Sequence, residues 1–244
     1  MILEICVDSA YSAIEAEKGG ADRVELCSNL FEGGTTPSAG GIALCRKHIQ
    51  IGLFVLIRPR GGDFLYSDLE FEVMKYDIQT AKNLGADGIV VGILNQDGTV
   101  DKKRMSILME VCYPLPVTFH RAFDMAVEPF QALEDIISLG ANRILTSGQE
   151  RSAFEGTDLL ADLVKKAKQR ITIVAGGGVT ERNISKIHRL TGITEFHSSA
   201  RKKVSSFMQY QQHQVFMGGE LRIPEFLNSF ADAEKIRKMK ELPL

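Results

Sequence analysis

Ile2-Leu3-Glu4-Ile5-Cys6-Val7-Asp8, near the start of the chain, alternates strictly between aliphatic and polar side chains. Successive side chains on a β-strand point to opposite faces. One face of this segment is therefore apolar, whereas the other carries two carboxylates and a thiol. Residues 23–27, Arg-Val-Glu-Leu-Cys, repeat the pattern. Strands of this kind predict a barrel that is wrapped in helices and carries ionisable groups in its interior.

Composition narrows the class of protein. The chain has 244 residues, of which 44% are hydrophobic, and a formal net charge of -2. This length suits one α/β barrel of roughly 250 residues. The balanced charge argues against a nucleic acid or a membrane surface as partner, and the apolar runs are shorter than the ~20 residues that span a bilayer. Few cysteines and no secretion signal predict a cytoplasmic, reducing location.

Helical patterns separate eight strand candidates. The strands are expected to begin near Ile2, Asp22, Gly52, Asp87, Pro116, Asn142, Ile171 and Thr194. Five helices are expected to start at Ser9, Thr36-Pro37, Ser67, Asp101 and Pro129, and to end near Lys18, His48, Gly85, Cys112 and Gly140. Three more fit residues 157–168, 181–191 and 232–241. The start residues are N-caps or first-turn prolines, and glycine ends several of the helices. Strand–helix alternation predicts parallel strands.

An internal repeat favours a closed barrel. Gly20-Ala21-Asp22-Arg23-Val24, Gly85-Ala86-Asp87-Gly88-Ile89 and Gly140-Ala141-Asn142-Arg143-Ile144 are variants of one signal, and residues 192–196 form a looser copy. They precede the second, fourth, sixth and eighth strands, which predicts a (β/α)8 TIM barrel. A doubly wound open sheet is the structural alternative. We expect one domain over residues 1–244, with 201–219 as an irregular surface or interface segment.

The alternation of side chains along each strand predicts which of them point into the barrel near its mouth. These side chains belong to Glu4, Cys6, Asp8, Glu25, Cys27, Arg58, Arg60, Thr118, His120, Glu195 and His197. Barrel interiors are usually aliphatic, and buried charges are costly unless paired. A functional site is therefore predicted at the carboxyl ends of the strands. The alternative is a structural network in which Glu4 and Glu25 pair with Arg58.

Cys6 and Cys27 lie near the ends of adjacent parallel strands. Neighbouring strands are ~4.8 Å apart, so two thiols at matching height would touch. Soft thiolates select Cu(I) and other thiophilic metals. A disulfide, which a reducing cell disfavours, and two inert buried cysteines are the alternatives. Cys45 and Cys112 lie on predicted helices and are interpreted as core residues.

A second set of residues suggests an anion site. Arg58 and Arg60 could clamp an anion bidentately. Gly176, Gly177 and Gly178 follow the seventh strand, and with a short element after the eighth they would form the usual phosphate pocket of barrel enzymes. A plain tight turn is the alternative. The glycine-rich segment 60–64 is either a lid over the mouth or an ordinary surface loop.

Acid–base chemistry would come from the same end of the barrel. His120 could act as a general base near neutral pH, or Glu25 could shuttle the proton. Asp124 or Asp8 would orient that group, and Glu4 and His197 complete the lining expected to contact a substrate. Each histidine could equally be a hydrogen-bonded core residue. The remaining histidines, expected at the surface, are His48, His188 and His213.

Seven motifs together resemble the copper homeostasis protein CutC family, from residue 2 to about 201. They are residues 4–9, 20–28, 33–38, 57–64, 119–124, 145–148 and 196–198. The likeness looks closest to the animal members. It implies a TIM barrel, a cytosolic protein that in animals is also nuclear, and assembly into homodimers or homotetramers. It also implies a role in handling Cu(I), with Cys6 and Cys27 as the ligands.

Three functions follow from these observations. The hypothesis adopted is a copper homeostasis protein that binds Cu(I) through the thiol pair in the barrel mouth. The alternative is an unassigned barrel enzyme that acts on a small anionic or phosphorylated substrate. A structural or interaction protein ranks last, because it would need an exposed apolar patch that a sequence does not show. The sequence leaves open whether the protein is an enzyme.

Overall fold

The computed structural model describes residues 1–212, 214–215 and 227–243. Eight parallel strands close into a barrel in which each strand pairs with its sequence neighbours and β8 pairs with β1. The (β/α)8 TIM barrel is therefore confirmed. The strands are β1 Ile2–Val7, β2 Arg23–Leu26, β3 Gly52–Leu56, β4 Gly88–Val91, β5 Val117–Phe119, β6 Arg143–Thr146, β7 Thr172–Ala175 and β8 Glu195–Ser198.

The helices surround the barrel, and most lie close to their predicted bounds. They are α1 Ala10–Lys18, α2 Ala39–His48, α3 Asp68–Asn83, α4 Lys102–Cys112, α5 Pro129–Ser138, α6 Thr157–Ala167, α7 Ile184–Thr191 and α8 Ala233–Lys240. The expected capping box forms, since the hydroxyl of Ser67 accepts from the N–H of Glu70 and the Glu70 carboxylate accepts from the N–H of Ser67. Among the described residues, no helix combines the length and the apolar character needed to cross a membrane.

The start of α2 was predicted wrongly. Ser38 is the N-cap, and its hydroxyl accepts a hydrogen bond from the N–H of Gly41. The hydroxyl of Thr36 instead accepts from the N–H of Arg58, at 3.0 Å. Thr36 and Pro37 therefore do not begin the helix. They belong to the loop between β2 and α2, and the hydrogen bond of Thr36 attaches this loop to the residues that follow β3.

The outer face of β1 packs against the helices, and its inner face points into the barrel. Leu3, Ile5 and Val7 are fully buried and pack in the core between the barrel and its helices. On the inner face, Glu4 of β1 lies in register with Arg23 of β2. The Phe54 ring lies beneath two guanidinium groups in the interior, 5.4 Å from Cζ of Arg23. The interior thus holds charged and aromatic side chains, as alternation along β1 indicates.

Buried ion pairs inside the barrel join β2 to β1 and β8. Nε of Arg23 donates to Oε2 of Glu4 at 2.6 Å, and its Nη2 donates to Oε2 of Glu195 at 2.7 Å. The predicted pairing of Glu4 and Glu25 with Arg58 is wrong. Strand register explains the difference, since Arg23 is the direct neighbour of Glu4 across β1 and β2. Arg58 lies beyond the end of β3.

The segment predicted to be irregular begins with a strand instead. Residues Arg201–Ser205 form β9, which pairs antiparallel with β10 at Leu227–Ala231. This ribbon packs on α1, where the rings of Tyr11 and Phe230 lie 4.9 Å apart. Main-chain pairing with a distant segment produces β9, and local sequence gives little sign of it. Residues 206–212 and 214–215 have no helix or strand, and 216–219 lie outside the described residues.

Candidate metal and ligand site at the barrel mouth

A cavity of about 620 Å³ opens at the carboxyl ends of the strands. Eight of the predicted site residues line it. They are Cys6, Glu25, Arg58, His120, Asp124, Gly177, Gly178 and His197. The carboxyl ends of the strands are where barrel proteins carry their chemistry. The expected place of the site is therefore where the ionisable side chains converge.

Cys6 and Cys27 form the predicted thiol contact. Their Sγ atoms lie 3.6 Å apart, and both cysteines are free. Cys6 lines the cavity, whereas Cys27 is 1% exposed and its thiol donates to the carbonyl oxygen of Val7 at 3.4 Å. The hydrogen bond with Cys27 and burial raise the pKa of the Cys6 thiol well above its usual value. Burial and the contact with Cys27 therefore keep Cys6 protonated near neutral pH.

Gly34 allows the loop after β2 to approach Cys27. Its φ is +95°, and an added Cβ would lie 2.8 Å from a Leu56 methyl and 3.5 Å from Sγ of Cys27. Only glycine adopts this conformation at little cost. The loop thus closes the site behind the thiols.

His197 bridges two buried glutamates. Its Nδ1 lies 2.7 Å from Oε1 of Glu4, and its Nε2 lies 3.7 Å from Oε2 of Glu25. One donor atom each from Cys6, Glu25 and His197 lie within 4.8 Å of one another. Burial lowers the pKa of His197, but the Glu25 charge and hydrogen bonds to Cys6 and Glu4 outweigh burial and raise it well above the usual value.

The two glutamates shift in opposite directions. Burial raises the pKa of Glu4, but the hydrogen bond with His197 and the charges of Arg23 and His197 outweigh burial and bring it to about 2. Burial raises the pKa of Glu25, and the charge of His197 offsets this only in part. Glu4 is thus the fixed negative charge, and Glu25 is the carboxyl group that faces the cavity.

The predicted pair of anion-binding arginines does not form. Arg58 donates through Nη1 to the carbonyl oxygens of Glu32 and Gly34, at 2.6 and 2.8 Å, and through Nη2 to that of Gly62 at 2.8 Å. Arg60 does not line the cavity. It pairs with Glu70 at 2.6 Å and Asp63 at 3.0 Å on the surface. Because β3 ends at Leu56, strand alternation no longer governs where these arginines point.

His120 is buried and neutral. Its Nδ1 accepts a hydrogen bond from the N–H of Ala122 at 3.1 Å. Burial and the neighbouring charge of Arg58 lower its pKa to about 3. A general base that titrates near neutral pH, as the sequence predicts, does not fit this pKa, because burial and the Arg58 charge disfavour the imidazolium.

Asp124 and Asp8 stabilise loops and do not orient His120. Oδ2 of Asp124 accepts from Nε of Arg121 at 2.6 Å and from the hydroxyl of Ser147 at 3.0 Å. These bonds tie the segment after β5 to the end of β6. Asp8 pairs with Arg201 at 2.9 Å. Neither carboxylate forms a hydrogen bond with His120 within the described part of the chain.

The glycine loop after β7 reaches the cavity only in part. Gly177 and Gly178 line it with φ values of +98° and +72°, whereas Gly176 lies behind, where an added Cβ would be 2.4 Å from Leu145. The element after β8 is the strand β9. A helix N-terminus, which would supply the other half of the usual phosphate pocket, does not begin between residues 199 and 212. Phe64, from the predicted lid segment, lines the cavity.

The other cysteines and histidines lie away from the site. Cys45 on α2 and Cys112 on α4 are completely buried, which confirms them as core residues. His48 is exposed as predicted. His188 is half-buried, and its Nδ1 lies 2.8 Å from the carbonyl oxygen of Ile193. His213 lies outside the described residues.

Sequence reasoning missed two interior arginines and one at the mouth. Arg23 and Arg143 both stack on Phe54, and Cζ of Arg143 lies 4.5 Å from the ring centroid. Arg121 lines the cavity and donates to Asp124 and Ser147. The alternation along β2 places Arg23 on the same inner face as Glu25, which lies two residues later. Arg121 follows the end of β5, where strand alternation no longer predicts the direction of a side chain.

Comparison with known proteins agrees with the fold and the motifs. Residues 1–202 match the CutC family. A human protein named copper homeostasis protein cutC homolog is 52% identical over 99% of this chain and 88% of its own length. A Chromobacterium violaceum protein named family protein CutC is 49% identical over 98% of this chain and 97% of its own length.

A solved structure extends the agreement to three dimensions. The crystal structure of a putative copper homeostasis protein CutC from Streptococcus agalactiae aligns with a TM-score of 0.78 at 35% identity, covering 82% of this chain and 98% of that one. The identity and the coverage of the relatives leave no ambiguity about the family. This chain belongs to the CutC family.

Proposed function

We propose that this protein serves copper homeostasis by binding Cu(I) at the barrel mouth, with the thiols of Cys6 and Cys27 as its principal ligands. The observation that carries the proposal is the 3.6 Å separation of the two Sγ atoms. A metal ion bound to sulfur at ~2.3 Å can contact two sulfurs up to ~4.6 Å apart. The thiols therefore need little movement to share one ion.

The chemistry of the donors favours copper. Thiolates are soft ligands and select Cu(I), and imidazole also suits copper. His197 is a suitable third ligand, because one of its donor atoms lies within 4.8 Å of those of Cys6 and Glu25. Glu25 is a harder donor and is better suited to accept a proton that the metal displaces from a thiol.

Glu4 prepares His197 for this role. Because Nδ1 of His197 donates to Oε1 of Glu4, a metal ion that displaces the other ring proton would meet the lone pair on Nε2, the nitrogen that faces Glu25. Metal-binding histidines commonly donate their other N–H to a carboxylate, which fixes the tautomer and the orientation of the ring. Arg23 in turn holds Glu4 through a 2.6 Å ion pair.

The cavity gives a metal ion access to the thiol pair from the barrel mouth. Cys6 lines the open cavity and is 7% exposed, so an ion could reach it from the mouth. Cys27 lies deeper and would complete the coordination. Relatives named for copper homeostasis, in human and in mouse, share about half of their residues with this chain, at 52% and 50% identity.

The experiment is a Cu(I) titration against a calibrated competing chelator, under anaerobic and reducing conditions. We expect one tight equivalent in the wild type and its loss in the Cys6→Ser, Cys27→Ser double variant. The matched control is Cys45→Ala, Cys112→Ala, which removes two buried thiols and leaves the pair intact. Equal affinity in the wild type and the serine variant would refute the proposal.

The location and assembly implied by the family resemblance stay predictions. We expect a cytoplasmic protein, with a nuclear fraction if the resemblance to animal members holds. We also expect a homodimer or homotetramer. Light scattering coupled to gel filtration, with and without Cu(I), measures the assembly state directly. A monomer at all concentrations would contradict that expectation.

A further inference from the structure

His120 and Arg58 line the cavity but have no part in the proposed copper site. Both contact Phe64. The His120 and Phe64 ring centroids lie 5.0 Å apart, and Cζ of Arg58 lies 5.0 Å from the Phe64 centroid. The three side chains thus form one group in the wall of the cavity.

His120 presents a buried hydrogen-bond donor that has no acceptor. The residue is 4% exposed, and its Nδ1 accepts the N–H of Ala122. The proton of the neutral ring is therefore on Nε2. Within the described ranges, Nε2 has no hydrogen-bond partner. Buried polar groups are nearly always hydrogen-bonded, so an unpartnered N–H in a cavity wall indicates where a ligand acceptor fits.

Arg58 adds a buried positive charge without a counter-ion. It is 6% exposed, and its hydrogen bonds go to the main-chain carbonyl oxygens of Glu32, Gly34 and Gly62. No carboxylate in the part of the chain that the structure describes forms an ion pair with it. Buried charges are normally paired, because an isolated charge is costly to remove from water. The low pKa of His120 has the same origin, namely burial and the Arg58 charge.

We propose that this cavity binds a small organic anion, whose carboxylate or phosphate oxygen accepts the Nε2–H of His120 and balances the charge of Arg58. An organic body would contact the apolar part of the wall, which Leu30, Leu56, Phe64 and Leu145 form. The wall also carries charged side chains of both signs, among them Glu181, Arg201 and Lys235. Its volume of about 620 Å³ is typical of small-molecule sites, which span roughly 300–1,000 Å³. The ligand would lie beside Cys6 and Glu25, so the protein would bind both a metal and an anion in one mouth.

The test uses acetate and inorganic phosphate as probes on metal-free, reduced, 15N-labelled protein. The readout is the amide shifts of Ala122 and Gly177, together with the ring N–H of His120 in the wild type. The key variant is His120→Asn, whose amide oxygen can still accept the Ala122 N–H while the Nε2 donor is lost. His48→Asn makes the same change at an exposed histidine and serves as the control.

We expect saturable shifts with at least one probe in the wild type and in His48→Asn. The dissociation constant should rise about tenfold in His120→Asn, because a hydrogen bond to a charged group is lost. Binding of both probes supports a general oxyanion site, and binding of one identifies the head group. Linear, unsaturated shifts would mean that water alone fills the cavity and would overturn the proposal. Equal affinity in His120→Asn would overturn it as well.

Discussion

Nδ1 of His197 lies 2.7 Å from Oε1 of Glu4, across the seam where the last strand of the barrel meets the first. The same glutamate accepts from Arg23 at 2.6 Å. One buried carboxylate therefore joins the ion pairs of the interior to the histidine of the candidate site. Closure of the barrel places the two residues together, although they are far apart in sequence.

Glu4→Gln should weaken Cu(I) binding about 10- to 100-fold, the usual effect of losing a carboxylate that orients a metal-binding histidine. The measurement is competition with a chelator. Glu195→Gln is the control, since Glu195 binds the same Arg23, at 2.7 Å, without a hydrogen bond to His197. An equal loss of affinity in both variants would show that the ion pairs with Arg23, and not the Glu4–His197 hydrogen bond, determine the affinity.

Stability should fall as the pH drops from about 6.5 to about 3, in part because of His120. The folded state holds the pKa of His120 at about 3, whereas an unfolded histidine titrates near 6.5. Between these values the unfolded chain binds the additional proton, so acid favours unfolding by up to roughly 5 kcal/mol. Urea unfolding at several pH values measures this dependence. In His120→Asn the slope over this range should be smaller, and an unchanged slope would contradict the assignment.

Arg58→Lys should lower the free energy of unfolding by about 2–4 kcal/mol, because a lysine cannot reach three carbonyl oxygens with a planar fork. Copper stoichiometry should remain unchanged, since Arg58 does not bind the thiols. Arg60→Lys is the matched control, because Arg60 also donates to three main-chain carbonyl oxygens, those of Gly61, Asp63 and Leu65, but its side chain is 38% exposed and its ion pairs lie at the surface. We expect a change of at most about 1 kcal/mol there. Similar losses in both variants would refute the structural role of Arg58.

Gly34→Ala should destabilise the protein and reduce its affinity for Cu(I). An added Cβ would lie 2.8 Å from Leu56 and 3.4 Å from Cβ of Cys27, so the loop or the thiol must shift. Gly33→Ala has a similar backbone strain, with φ of +82°, but its nearest contact is Arg58 at 3.6 Å. Gly33→Ala should cost about 1–2 kcal/mol and leave copper affinity intact. Thermal unfolding and chelator competition on both variants separate strain from displacement of Cys27.

Local sequence carries enough information for the barrel. The strict alternation in residues 2–8 separates an apolar outer face from an ionisable inner face, and the repeated Gly-Ala-Asp signal marks every second strand. The same alternation, applied to adjacent strands, predicts the contact of Cys6 and Cys27. The two thiols meet diagonally, because both lie on the inner face while the register pairs Cys6 with Glu25, two residues before Cys27.

The alternation of inward and outward side chains stops predicting their direction where the strands end. Arg58, Arg60, His120 and Asp124 all follow a strand, and the loop conformation decides which of them faces the cavity. His120 faces it as a neutral donor, and Arg60 turns to the surface. Asp124 also lines the cavity, and its carboxylate accepts hydrogen bonds from Arg121 and Ser147. None of these outcomes depends on residue type alone.

The sequence by itself determined the barrel, the apolar outer layer, the place of the site and the thiol pair. Only the tertiary structure decided which charges pair. Glu4 binds Arg23 and His197 because register and closure make them neighbours. Among the described residues, Arg58 donates to main-chain carbonyl oxygens and pairs with no carboxylate, since it lies beyond the end of β3. Hydrophobic alternation is a property of a segment, whereas ion pairing and pKa depend on distances that only the folded chain sets.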